Sequence, residues 1–368
     1  MRVEFSYLAK QFGECGDILE AIRKVVQRGD FTLGKEVREF EEKFATLCGT
    51  KFAVGVNSGT DALFLSLKVL GIKEGDEVIT APNSFIATVG AIIACGAKPV
   101  FVDVNDEYLI DTSKIRSAIG KKTRAIMPVH LTGNPCDMLA ITSIAEEYGL
   151  FVVEDACQAV SALLNGRFVG SFGDAAAFSL HPLKNLNVWG DGGIMTTSSE
   201  EIYKKLLLLR NHGLADRNIC QLFGYNSRLS TVQATVALAV LKNLEGITQK
   251  RMTRAIFYDK NLSDIPEITI PPRAQNKNQV FHLYIVMAQR RDELLEWLLK
   301  QGVDAKIHYP IPLHLQPASR CLGYKKGNFP VCEKQAESII SLPAHQYLTE
   351  DEQGYVVDMI REFYRDKR

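Results

Sequence analysis

The chain has 368 residues, and its 43 Lys and Arg balance its 43 Asp and Glu. This length is enough for one large domain and one smaller domain, each with a core of its own. No block of like charge is present, which argues against a nucleic-acid groove or a basic membrane patch. We therefore expect neither nucleic acid nor a membrane as a partner.

Eight cysteines are spread through both halves of the chain without a CxxC pair. Their density is too low for a secreted disulfide scaffold. The first residues lack the apolar core and small-residue cleavage site of a signal peptide, and no run of about 18 apolar residues occurs. These features predict a cytoplasmic protein.

Short apolar segments rich in β-branched residues alternate with helical patterns through the first two thirds of the chain. Most are apolar on both faces, which indicates a mostly parallel sheet covered by helices on two sides. The predicted fold class is therefore α/β and doubly wound, with ligands bound beyond the carboxyl ends of the strands. The predicted strands are 51–56, 76–81, 98–104, 124–129, 150–155, 174–180 and 192–197.

From about residue 230 the pattern changes to long helical stretches over 231–262, followed by a link that contains Pro and Asn. A strand at 281–288, a helix at 291–302 and a terminal helix at 349–368 with a threonine cap come next. We predict a large α/β domain over 1–240 and a small α+β domain over 241–368.

Two of the predicted strands lead into loops with the properties of a ligand site. Ser58, Gly59 and Thr60 follow the first strand and open a helix, where free N–H groups and the helix dipole suit a phosphate. A plain helix cap is the alternative. Phe85 follows the second strand, where its ring could cover a flat ligand or belong to the core.

Charged residues follow the fifth and sixth strands. The alternation of a strand turns one of Glu154 and Asp155 inward and the other outward, and an inward Asp155 needs a cation, either an arginine or a protonated ring nitrogen. The sixth strand brings Ser179, His181 and then Lys184 to the same edge. A phosphate cradle, a flat aromatic ring, a carboxylate and a lysine together match the needs of pyridoxal phosphate.

The chain contains, in order, the stretches NSGTDAL, NSFIAT, EDACQA, GSFGDAAAFSLHPLKNL, RNHGL, GYNSRLSTVQA and GVDAKIHYPIPLHLQP. In these it resembles the DegT/DnrJ/EryC1/StrS family of sugar aminotransferases, which act on keto sugars carried by nucleoside diphosphates. The resemblance implies the fold-type I architecture of pyridoxal-phosphate enzymes. It comprises a large domain with a mostly parallel seven-stranded sheet and a small C-terminal α+β domain.

The resemblance also implies roles for individual residues. Lys184 would bind the cofactor covalently and then move the proton at the reacting carbon. Asp155 would hold the protonated ring nitrogen, Gln158 would bond the 3-hydroxyl, and Phe85 would stack on the ring. Some relatives have histidine in place of the lysine and remove a hydroxyl, so Lys184 favours transamination.

Further positions follow from the same resemblance. The cofactor phosphate would lie against Ser58, Gly59, Thr60 and Ser179. Asn226 would reach in from the neighbouring subunit, so the active site would require a homodimer. Ser230 stands where many relatives have an acidic residue. The loop with His308, Tyr309 and His314 would shape the sugar mouth, although a rigid structural turn is the alternative for it.

The implied reaction moves an amino group from L-glutamate to a keto group at C3 or C4 of a nucleotide-linked hexulose, for a surface polysaccharide or a natural product. An aminocyclitol transaminase and a non-catalytic relative of the fold remain alternatives. A nicotinamide oxidoreductase is disfavoured because VGVNSGTDA lacks the GxGxxG fingerprint. No histidine has metal-ligand spacing with a carboxylate or thiol, so no metal is predicted.

Overall fold

The computed structural model describes residues 1–365. Each of the seven strands predicted for the large sheet is present within one or a few residues of its predicted ends. In chain order the strands are β1 (Phe52–Val56), β2 (Glu77–Thr80), β3 (Lys98–Phe101), β4 (Thr123–Ile126), β5 (Phe151–Asp155), β6 (Leu163–Leu164), β7 (Arg167–Phe168), β8 (Ala175–Ser179), β9 (Gly193–Thr197), β10 (Ile268–Thr269), β11 (Lys277–Asn278), β12 (Tyr284–Ala288) and β13 (Ile339–Leu342).

The helices alternate with the strands of the large sheet and dominate the last third of the chain. Short 3-10 turns also occur at Leu131–Gly133, Leu313–Leu315 and Pro317–Leu322. The α-helices are α1 (Leu8–Gln11), α2 (Gly16–Arg28), α3 (Lys35–Cys48), α4 (Gly59–Val69), α5 (Ile86–Ala94), α6 (Thr112–Ala118), α7 (Met138–Tyr148), α8 (Glu200–Leu209), α9 (Thr231–Leu241), α10 (Leu244–Leu262), α11 (Arg291–Lys300), α12 (Pro330–Ser338) and α13 (Glu350–Arg365).

Within the described residues, the large sheet has seven strands in the order β1-β9-β8-β5-β4-β2-β3. Only β9 runs antiparallel to its neighbours, so the sheet is mostly parallel, as predicted. Predicted strand 98–104 ends early, at Phe101. The reason is that Asp103 turns its carboxylate to the backbone N–H groups of Val331 and Cys332, at the start of α12.

Helices cover both faces of the large sheet. One core joins α3 and α9 to β8 through residues such as Phe40, Phe44 and Phe178. The opposite core joins α4 and α5 to the sheet through residues such as Leu65 and Ile92. Because apolar side chains are buried on both sides, the strand ends are left as the edge where polar side chains gather.

The C-terminal third forms a separate small sheet in the order β10-β12-β13, packed with α10, α11 and α13. Strands β10 and β13 escaped prediction, as did the sheet β11-β6-β7. The predicted threonine cap of the last helix is present, because Thr349 and Glu352 exchange side-chain-to-backbone hydrogen bonds. Residues 366–368, which the predicted helix included, lie outside the described residues.

The division of the chain at 240/241 stays a prediction. Among residues 1–365, no helix combines the length and apolar character that crossing a bilayer requires.

Candidate active site

A cavity of ≈ 500 Å³ lies at the carboxyl ends of β1, β2, β5 and β8. It is where the strand-end argument predicts a ligand site. The cavity brings together eleven of the residues singled out from the sequence: Ser58, Gly59, Thr60, Phe85, Asp155, Gln158, Ser179, His181, Lys184, His308 and Tyr309.

The cavity wall at the start of α4 is a cradle for a small anion. Ser58 caps the helix by accepting a hydrogen bond from the backbone N–H of Asp61 at 3.0 Å. A Cβ at position 59 would lie only 2.6 Å from the Cβ of Ser179, so this close approach of α4 to β8 requires Gly59. Free N–H groups at a helix start, next to two serine hydroxyls, fit a phosphate.

Asp155 presents a buried carboxylate to the cavity from the end of β5. Its side chain is 4 % exposed and forms no ion pair within residues 1–365, which removes the arginine alternative. Instead, Oδ2 accepts a hydrogen bond from the Thr88 hydroxyl at 2.7 Å and Oδ1 accepts one from the Cys157 backbone N–H at 3.2 Å. A buried carboxylate with neutral donors only is suited to a cationic ligand group.

Glu154 corrects one expectation. Strand alternation does place it on the face opposite Asp155, but it is fully buried and does not face outward. The segment after β7 folds over it, and its oxygens accept hydrogen bonds from the backbone N–H groups of Gly170, Phe172 and Gly173 at 2.7–2.9 Å. His130 Nε2 lies 3.1 Å from Glu154 Oε2. Glu154 therefore anchors the fold beneath the site.

Lys184 reaches the cavity from the loop after β8. Burial lowers the pKa of its amine, and the nearby Cys157 and Asp155 only partly counter this. The Tyr7 hydroxyl lies 3.0 Å from the backbone carbonyl of Lys184 and 3.1 Å from that of Leu183, so the N-terminal segment holds this loop. A lowered pKa increases the fraction of unprotonated amine, the form that attack on an aldehyde requires.

An aromatic and amide wall completes the cavity. The Phe85 ring is 53 % exposed, so one of its faces is free to cover a flat ligand. The Tyr309 ring lies 5.8 Å from it, centroid to centroid. Gln158 accepts a hydrogen bond from the Thr132 backbone N–H at 2.7 Å, and its amide nitrogen lies 3.4 Å from the Tyr309 hydroxyl. This fixed amide can donate to a hydroxyl on the ligand.

The structure separates His308 from His314. His308 lines the cavity, and its Nδ1 lies 2.9 Å from the Ser341 hydroxyl. His314 is 2 % exposed, lies outside the cavity lining and places Nε2 2.9 Å from the Glu333 carboxylate. Its ring packs on Phe329. His314 thus makes the structural contact of a rigid turn, and we withdraw it from the candidate substrate contacts.

Two residues of the GYNSRLS stretch lie away from the cavity of their own chain. Asn226 is exposed, and its proposed contact with a neighbouring subunit stays a prediction. Ser230 caps α9 by accepting a hydrogen bond from the Gln233 backbone N–H at 3.2 Å. Serine at this position, in place of the acidic residue of many relatives, therefore still provides a side chain that caps the helix.

A family model for the DegT/DnrJ/EryC1/StrS aminotransferases matches residues 14–361, which include every residue of the cavity lining. The chain belongs to this family. The architecture and the cavity thus agree with the resemblance noted in the sequence.

Relatives of the chain carry names that describe different functions. A protein of Geobacillus stearothermophilus named pleiotropic regulatory protein is 39% identical over 369 residues, which is 99% of each chain. A dTDP-3-amino-3,4,6-trideoxy-alpha-D-glucose transaminase of Streptomyces venezuelae is 40% identical over 93% of this chain and 91% of that protein.

The fold is shared with a solved member of the family. The crystal structure of S. venezuelae DesV in complex with a ketimine intermediate superposes with a TM-score of 0.96 at 40% identity, over 98% of each chain. This likeness establishes the aminotransferase architecture for the described residues.

Sequence reasoning missed several residues of the cavity wall. Ser84 and Thr88 lie at the start of α5, and Asp191 follows the lysine loop. Ser84 and Thr88 follow a predicted strand, so the rule that selected Phe85 would also have selected them. His282 comes from the C-terminal third and has no such local signal. Among residues 1–365, no cluster of His, Cys, Asp and Glu side chains could hold a metal ion.

Proposed function

We propose that this chain is a pyridoxal-phosphate-dependent aminotransferase that moves an amino group from L-glutamate to a keto group of a nucleotide-linked hexulose. The observation that carries the proposal is that Lys184 and Asp155 share one cavity with a phosphate cradle. Family membership supports the reaction class. The close approach at Gly59 holds the helix start beside the Ser179 hydroxyl, which supports an anion site there.

The residues that would hold the cofactor follow from the chemistry of the donors. Ser58, Thr60 and Ser179 would bind the phosphate together with the helix N-terminus. Asp155 would pair with the ring nitrogen, and Gln158 would donate to the 3-hydroxyl. When bound, pyridoxal phosphate supplies an electron sink for the bond that is broken at the substrate carbon.

Proton transfer falls to Lys184. Burial lowers the pKa of its amine, so Nζ can accept a proton from the α-carbon of the amino donor and return one to the keto-derived carbon of the sugar. Phe85 and Tyr309 would close the cavity around the ring and limit access of water. His308 lies at the same wall and would contact the sugar.

For the acceptor we propose a keto group at C3 in preference to C4, since the Streptomyces venezuelae relative is named for a 3-amino sugar. An amino sugar for a surface polysaccharide or a natural product is the expected product. An aminocyclitol substrate, without a nucleotide, is the alternative within the same chemistry. The enzyme is incubated with glutamate and, in separate reactions, with matched 3-keto and 4-keto dTDP- and UDP-sugars and a keto-inositol. The reaction that yields an amino product identifies the acceptor.

We also propose a homodimer with shared active sites. Phe223 is 98 % exposed and Ile219 is 56 % exposed in the segment that leads to Asn226, an apolar surface that a second copy would cover. A Phe223→Glu variant should weaken the dimer and lose activity in parallel. Activity retained in a monomeric variant would contradict the shared site.

A regulatory role is the second candidate, because the Geobacillus stearothermophilus relative carries that description. Single-turnover formation of 2-oxoglutarate from glutamate decides between the two. We expect one equivalent for each cofactor-loaded subunit, none from Lys184→Ala, and normal yield from Lys205→Ala, which alters an exposed lysine paired with Glu201. Wild-type protein that binds no pyridoxal phosphate, or that gives no turnover with any amino donor when loaded with it, would support the regulatory role.

A further inference from the structure

The carboxylate of Asp155 is held by a short chain of hydroxyl groups that the proposed roles leave unused. Thr88 is 1 % exposed, and its Oγ1 lies 2.7 Å from Asp155 Oδ2. Ser84 is 3 % exposed, and its Oγ lies 2.7 Å from Thr88 Oγ1. Ser84 and Thr88 stand four residues apart where β2 passes into α5, so the local backbone brings both hydroxyls to one side.

The direction of this chain follows from counting hydrogens. An ionised carboxylate only accepts, so Thr88 donates its single hydroxyl hydrogen to Asp155. Thr88 then has no hydrogen left for Ser84, and Ser84 must donate to Thr88. The Ser84 oxygen keeps acceptor capacity toward the cavity, whose wall it forms. The chain therefore runs from the cavity wall through Thr88 to Asp155.

Uncharged hydrogen-bond donors are suited to a carboxylate that has to bind a cation. An arginine at Thr88 would compensate the charge of Asp155 and weaken its attraction for a protonated ring nitrogen. A hydroxyl and a backbone N–H orient both oxygens and satisfy them while the full negative charge remains. The buried setting strengthens each of these hydrogen bonds.

We propose that Thr88, supported by Ser84, is a positioning residue that holds the Asp155 carboxylate aimed at the ring nitrogen of the cofactor. This inference rests on the proposed function, because it assumes that pyridoxal phosphate occupies the cavity. It concerns binding of the ring, and it leaves the phosphate cradle and Lys184 unaffected.

The test compares two buried threonines of the same sheet region. Thr88→Val is close in shape and removes the donor to Asp155, whereas Thr88→Ser keeps it. Thr80→Val is the matched control, since Thr80 is fully buried and donates to the Met127 carbonyl at 2.9 Å, away from the cavity lining. The dissociation constant is measured for pyridoxal phosphate and for its 1-deaza analogue, in which C–H replaces the ring nitrogen.

We expect Thr88→Val to weaken binding of pyridoxal phosphate about 10-fold, the scale of one hydrogen bond to a charged group, and Thr88→Ser and Thr80→Val to change it less than about 3-fold. The penalty of Thr88→Val should vanish with the 1-deaza analogue. An equal penalty for both ligands, or none for either, would overturn the proposal.

Two further outcomes are distinguishable. Wild-type protein that fails to bind pyridoxal phosphate would refute the proposed function, and this inference with it. If Thr88→Val does not fold, Ser84→Ala replaces it, because loss of the supporting donor should weaken binding of pyridoxal phosphate about 3-fold and spare the analogue. If Ser84→Ala then bound each of the two ligands as tightly as the wild type does, the proposal would be overturned.

Discussion

Gly59→Ala perturbs the phosphate cradle by a single methyl group. In the structure the new Cβ would lie 2.6 Å from Ser179 Cβ and 3.1 Å from Ser179 Cα. Ordinary contacts between carbon atoms are about 3.5–4.0 Å, so α4 and β8 must move apart by roughly 1 Å. Neither side gives way easily, because β8 is buried along its whole length.

The expected magnitude has two parts. Overpacking of this kind costs about 1–3 kcal/mol of folding free energy. A shift of the cradle also misplaces N–H donors from the phosphate, and a hydrogen bond to a charged group contributes about 1.5–3 kcal/mol. We therefore expect Gly59→Ala to weaken binding of pyridoxal phosphate by about 10- to 100-fold.

The assay pairs denaturant unfolding of the cofactor-free protein with a fluorescence titration of the cofactor. Gly354→Ala is the matched control, since Gly354 lies inside α13 and its added Cβ would meet no atom within 4 Å. That change should stabilise the protein by up to about 1 kcal/mol and leave cofactor binding unaltered. The reasoning about the cradle would be refuted if the two variants had the same free energy of unfolding and the same affinity for pyridoxal phosphate.

Four further variants test individual residues. Burial lowers the pKa of Lys184 from its usual 10.5, so the unfolded chain binds more protons than the folded chain. Cofactor-free Lys184→Met should therefore be more stable than the wild type at neutral pH, and this difference in the free energy of unfolding should close as the pH rises toward 10.5. A difference that does not depend on pH would count against a lowered pKa of Lys184. Glu154→Gln should lower the free energy of unfolding by about 2–3 kcal/mol in urea titrations, because an amide nitrogen would meet backbone N–H groups. Asp155→Asn should leave the free energy of unfolding unchanged and lose affinity for the cofactor. The reverse pattern would exchange the roles of Glu154 and Asp155. His314→Ala should destabilise the protein by about 1–3 kcal/mol and leave the KM for the keto sugar unchanged, while a raised KM would restore His314 to the substrate site.

The large sheet was predictable because its strands bury both faces and therefore read as apolar runs. The strands β10 and β13 were missed since β10 has only two residues and β13 follows directly on α12, so neither has room for a periodic pattern. Strand ends located most of the cavity wall, because parallel strands deliver their carboxyl ends to one edge.

Long-range contacts explain what the sequence left open. Alternation along β5 separates Glu154 from Asp155, but only the folded chain reveals that the turn after β7 covers Glu154. His314 looked like a loop residue near His308, and its burial depends on Glu333, nineteen positions away in α12. Thr88 and Asp155 stand 67 positions apart, so their hydrogen bond could not be read from either stretch.

The central claim is that Lys184 is the residue that binds pyridoxal phosphate covalently. The most direct measurement is borohydride reduction of the cofactor-loaded protein, followed by mass mapping of the labelled peptide, with glutamate added before reduction in a parallel sample. The account predicts a label on Lys184 alone, lost when glutamate has converted the cofactor and absent in Lys184→Ala. A label on another lysine, or no label in a protein that binds the cofactor, would contradict it.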